Sequence, residues 1–157
     1  MIFPTVTGSN LLRQKLTLPR DFQGELNVVF VAFQQWQQME VNSWIPLAQE
    51  LEKQTRDLYY YELPTIQSRN IFYQKFINEG MRAGIPNQTS RERTITLYLE
   101  KASLRRKLEM PDEDHIYVLI VDRLGKVLFS TRGSYTPEAG QNLHQTIQQH
   151  IPQAAVD

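Results

Sequence analysis

The sequence predicts a single α/β domain built on a central mixed sheet of about five strands, with helices on both faces and a β-hairpin plus helix closing the C-terminal end. Three observations predict it. Short β-branched and aromatic runs alternate with apolar stripes of period 3.6 over much of the chain. Two further runs flank a turn glycine near the C-terminus, and the last stripe opens on a capping threonine followed by proline.

Each element follows from its residues. Residues 28–33, Val-Val-Phe-Val-Ala-Phe, read as a strand buried on both faces. Ser43 then caps a helix whose stripe is Ile45, Ala48, Leu51 and Leu47, reaching about Lys53. Residues 58–63 form a second strand that Pro64 stops. Phe72, Tyr73, Phe76 and Ile77 predict a helix over 68–79 with Gly80 as its C-cap, followed by a loop over 81–90 rich in Gly, Pro and Asn. Residues 94–99 make a third strand, and 103–109 a short helix ending near Pro111.

The runs 116–121 and 127–131 flank Asp122-Arg123-Leu124-Gly125, where glycine supplies the positive φ of a hairpin turn. The final helix takes Thr136 as N-cap, Pro137 at its first position and Glu138 near the positive end of its dipole. Leu143, Ile147 and Ile151 form its core stripe. Residues 1–24 read as an N-terminal extension and 152–157 as a frayed tail.

Bulk properties narrow the function. A chain of 157 residues buries about 70% of its unfolded surface and needs no disulfide or metal staple. Its 17 basic and 17 acidic residues cancel, which argues against a whole-surface field for nucleic acid or anionic lipid. No apolar run is long enough to cross a bilayer and the first residues lack a secretory or transit pattern, so a cytoplasmic location, or a mature form already processed, is expected. The chain contains no cysteine, and thiol chemistry needs a thiolate. No Gly-x-Ser-x-Gly elbow or phosphate-cradling glycine loop occurs. The acidic run 112–114 with His115, and the His144 and His150 pair, lack metal-ligand spacing; no metal or cofactor is expected, and the balance leans away from an enzyme.

The order of elements resembles the thioredoxin-like superfamily. In that family the first core strand ends in an aromatic, the active-site dithiol opens the next helix, and a proline kinks that helix further on. Phe33 and Pro46 stand at the matching separation. This register places Gln38 and Val41 at the cysteine positions, and a one-residue slip on Trp36 places Gln37 and Glu40 there instead. An alternative reading sets Pro46 in the first turn of a helix capped by Ser43. The family's cis-proline falls near His115 and Ile116, where this chain has no proline. The hairpin 116–127, then Gly133 and Thr136-Pro137-Glu138, with Met81-Arg82 upstream, resembles the redoxin branch and in particular the thioredoxin-like ATP synthase assembly factors of mitochondria. The resemblance implies a non-redox binding or assembly protein with protein partners, ATP synthase subunits among them, and membrane association only through such a partner.

Two clusters are candidate sites. Trp36, Gln38, Met39, Val41 and Trp44 gather where redox relatives hold extended polypeptide, and an aromatic and Met surface suits protein recognition. Arg82, Asn87, Arg91 and Arg93 bracket one loop; guanidiniums converging there suit an anion, which gives the alternative of a small-anion-binding protein or non-redox enzyme.

Overall fold

The computed structural model describes residues 1–67 and 92–151. Its strands are β1 (Val6–Asn10), β2 (Lys15–Leu18), β3 (Leu26–Ala32), β4 (Leu58–Gln67), β5 (Ile95–Leu99), β6 (Tyr117–Asp122) and β7 (Val127–Arg132). Its helices are α1 (Gln38–Gln54), entered through a 3₁₀ turn at Gln35–Gln37, then α2 (Lys101–Lys107) and α3 (Pro137–Gln149). The helix expected over 68–79 and the loop over 81–90 lie outside the described residues, as does the expected tail.

Among the described residues the strands form one seven-stranded sheet in the order β2-β1-β5-β4-β3-β6-β7, two more than expected. The β3–β4 and β4–β5 pairs are parallel and the rest antiparallel, so the sheet is mixed. The two additional strands come from the first 24 residues. β1 pairs with β5 through Gly8 opposite Leu97, and a Cβ at Gly8 would stand 2.7 Å from both Leu97 Cδ2 and the Thr96 carbonyl oxygen. Glycine is what lets the backbones meet there.

β3 and β6 are buried on both faces, and period-two alternation divides their side chains between two cores. Val29, Val31, Leu119 and Val121 face a layer holding Phe3, Phe22, Tyr61, Leu104 and Leu108, the last two brought by α2 and its C-terminal end. Val28, Phe30, Val118 and Ile120 face Trp44, Ala48 and Leu51 of α1 and Leu143 and Ile147 of α3. Helices therefore cover both faces, as expected.

Two boundaries differ from expectation, each for a local reason. β4 does not stop at Pro64 but continues to Gln67. Pro64 is the last residue paired with β3, opposite Ala32, and pairing with β5 takes over at Thr65, so the missing N–H falls at a change of partner. α1 begins at Gln38 rather than after Ser43, which puts Pro46 well inside the helix, as the thioredoxin-like resemblance implies, and not in its first turn as the alternative reading had it. Ser43 does not cap: its hydroxyl donates to the Glu40 carbonyl at 2.6 Å. At the other end of the chain the expected cap forms, with Thr136 Oγ1 accepting from the Ala139 amide at 3.1 Å. The turn before β7 has Gly125 at φ +87°.

Candidate partner-binding surface at the start of the first helix

β3 ends at Ala32 and the chain must turn sharply to reach α1. Gln37 holds that turn. Buried completely, its Oε1 accepts from the Phe33 amide at 2.8 Å and the Gln34 amide at 3.2 Å, while its Nε2 donates to the Glu113 carbonyl at 2.6 Å. One side chain thus satisfies both backbone donors that the turn exposes and ties the turn to the loop before β6.

Glu40, one turn further on, is buried as well. Its carboxylate accepts from the Ile116 amide at 3.1 Å, lies 2.8 Å from His115 Nδ1, and takes a longer contact from Ser134 Oγ at 3.4 Å. Ile116 occupies the stretch where the resemblance expects a proline. A proline there has no N–H; isoleucine has one, and Glu40 supplies its acceptor.

The same loop is fixed from the opposite side. Lys101 Nζ donates to the Phe33 carbonyl at 2.9 Å and sits 3.4 Å from Glu113, which also meets Arg105 at 3.3 Å and Gln34 Nε2 at 3.3 Å. Trp44 anchors the third side: its indole N–H donates to the Gly133 carbonyl at 2.9 Å, and its ring meets Tyr135 edge-on at 5.4 Å.

On this frame stand Trp36, 54% exposed, and Met39, 76% exposed. Trp36 leans edge-on against His115 at 6.5 Å. Gln38 lies beside them, its amide donating to Glu62 at 3.0 Å and to Asn42 at 2.9 Å. Burial pushes the Glu62 carboxyl up from its ordinary range, with the Gln38 hydrogen bond opposing. Gln34, Gln38 and Asn42 set amides beside them, and the two large exposed side chains are the polarizable, rotamer-adaptable and flat types that recognition surfaces favour.

The predicted residues are thus separated by depth. Trp36, Gln38 and Met39 present a surface; Val41 and Trp44 are core side chains beneath it. Arg93 lies elsewhere: its guanidinium forks onto both oxygens of Glu52 at 2.7 and 2.9 Å and covers the Tyr60 ring at 4.0 Å. Arg82, Asn87 and Arg91 lie outside the described residues. Reading the sequence missed the roles of His115 and Ser134, and met Gln37 and Glu40 only as the slipped register. Their spacing of three on a helix start was the available signal.

Comparison with known proteins fits this geometry. No curated protein matches the chain. Arabidopsis thaliana ScoI, solved with copper bound, superposes with a TM-score of 0.65 at 8% identity, covering 96% of this chain and 100% of that one. A putative electron transfer protein from Aquifex aeolicus gives 0.61 at 8% identity over 93% and 92%. The exposed lipoprotein thioredoxin Etrx1 of Streptococcus pneumoniae gives 0.59 at 13% identity over 93% and 99%. These likenesses establish the thioredoxin-like fold. ATP10 proteins are ATP synthase assembly factors on that same scaffold. The family model described as ATP10 protein matches residues 1–149, so this chain, which contains no cysteine, belongs to the ATP10 family.

Proposed function

We propose that this chain assists ATP synthase assembly by holding a segment of one of the complex's subunits against Trp36, Gln38 and Met39, with no bond chemistry. The observation that carries the reading is the pair of exposed apolar side chains on a turn whose polar groups are already satisfied. A surface of this kind is pre-organised, so binding costs little ordering. Glu40, Gln37 and Trp44 position it from below. Among the described residues no helix is long and apolar enough to cross a membrane, and in this reading the protein meets the membrane complex through the bound subunit. The compartment follows that partner: a mitochondrial membrane surface if the subunit is held there, the cytoplasm if it is met before delivery.

Site-specific photocrosslinking tests the reading. A photoreactive residue at Met39 is expected to yield an adduct with an ATP synthase subunit in cells, whereas the same residue at exposed Gln141 on α3 yields none. Equal labelling from both positions, or no subunit adduct from Met39, contradicts it. Fractionating the adduct identifies the compartment.

A further inference from the structure

Both edges of the sheet expose a strand, and they are finished differently. On β2 the outward groups of Thr17 are closed: its amide donates to Asp21 Oδ2 at 2.7 Å, and its carbonyl accepts from the Asp21 amide at 2.9 Å. The Thr17 amide holds the Asp21 carboxyl below its usual range. That edge is blunted.

On β7 the closure stops partway. The N-terminal residues pair with its beginning: the Phe3 amide donates to the Gly125 carbonyl at 2.8 Å, the Val127 amide donates to the Met1 carbonyl at 2.9 Å, and Ile2 bridges Lys126. Beyond the irregularity in the β6–β7 register, no strand among the described residues pairs with its outer side. Which groups are open follows from the antiparallel ladder. The Gly133 amide donates to the Ile116 carbonyl at 2.9 Å, so Gly133 faces β6; by alternation Thr131 opposite Val118 and Phe129 opposite Ile120 also face β6. Ser130 and Arg132 therefore turn their N–H and C=O groups outward, and both residues are exposed.

This open stretch is self-complementary. A two-fold axis at Thr131 sets Ser130 of one copy opposite Arg132 of the other, and the reverse, so every open N–H meets an open C=O. Thr131 lies opposite Thr131 of the second copy as a non-hydrogen-bonded pair, a favourable cross-strand match. No like charges stand directly opposite, and Arg132 is already paired with Asp112 at 3.0 Å. The chain leaves the strand at Gly133, φ +93°, before this register would carry it as far as the second copy's Val127, where that copy's Met1–Phe3 segment begins to pair. A formal net charge of zero leaves no overall repulsion between copies.

We propose that the outer edge of β7, at Ser130 and Arg132, pairs antiparallel with the same edge of a second copy, joining the two seven-stranded sheets across an isologous interface. The interface is small, so the dimer is weak and concentration-dependent. The inference is independent of the Trp36 surface.

Sedimentation equilibrium from micromolar to millimolar chain is expected to show a monomer–dimer equilibrium. Ser130→Pro removes an outward N–H without touching the β6 ladder, and is expected to weaken association by about tenfold or more, one hydrogen bond being lost from each copy. Amide exchange of the unaltered protein supplies a second readout that does not depend on how the variant folds. Ser130 and Arg132 are expected to slow as concentration rises, while Thr131 stays at its monomer rate. A protein that remains monomeric at millimolar concentration, or a dimer in which the Ser130 and Arg132 amides exchange as fast as in the monomer, overturns the proposal.

Discussion

Replacing Trp44 by alanine is expected to lower the unfolding free energy by about 3–5 kcal/mol, a large share of what a domain of this size has to lose. The indole is 1% exposed, packs on Phe30 from the sheet at 6.3 Å and on Tyr135 from the α3 side at 5.4 Å, and joins α1 to the end of β7 through Gly133. Truncation removes the apolar burial, opens a cavity between α1 and the sheet, and strips the Gly133 carbonyl of its donor. Trp44→Phe retains most of the packing and loses the indole N–H, so about 1–2 kcal/mol is expected from it. Urea denaturation of the three proteins checks both values, with the slope m unchanged if only stability has moved. A loss under about 1 kcal/mol in the alanine variant contradicts the placement of Trp44 as a core anchor.

Glu40→Ala is expected to cost about 2–3 kcal/mol, for a reason that has nothing to do with volume. The carboxylate is the acceptor for the Ile116 amide, and Ile116 is fully buried just before β6. Without it a buried donor is left unmatched, and His115 loses the partner that fixes it beneath Trp36. Glu40→Gln keeps an acceptor oxygen at nearly the same place and is expected to recover more than half of the loss. Denaturation gives the energies, and amide exchange at Ile116 reads the bond directly: fast in alanine, slow in glutamine. Similar losses from both variants contradict the acceptor role.

Much of the architecture was legible because it rests on patterns with one physical reading. The β-branched run around Val29, the Gly125 turn and the Thr136-Pro137-Glu138 helix start each satisfied local backbone needs that tertiary context did not override. The first helix was harder. Gln37 and Glu40 are polar, so an apolar-stripe search leaves them in solvent, yet both are buried because they serve as acceptors for amides at Phe33, Gln34 and Ile116. That displaced the expected helix start to Ser43 and kept open the alternative of Pro46 in its first turn. Two strands in the first 24 residues were missed because β1 is short and holds Gly8, a residue that lowers strand propensity but here permits close approach to β5. The candidate surface was legible as a cluster of residue types; its division into exposed Trp36 and Met39 over buried Val41 and Trp44 required the helix register.

The family places this chain among proteins that assemble ATP synthase, and a chain without cysteine has no thiolate to bring to that work. The account therefore turns on the surface at the start of α1. The measurement that tests it most directly is the amount of assembled ATP synthase on native gels from cells depleted of the protein and supplied with the Trp36→Ala, Met39→Ala double variant. Both side chains are largely solvent-facing, so the variant is expected to fold and accumulate normally while assembled enzyme falls sharply below that supported by the unaltered chain. Full assembly supported by a folded, equally abundant double variant would contradict the account.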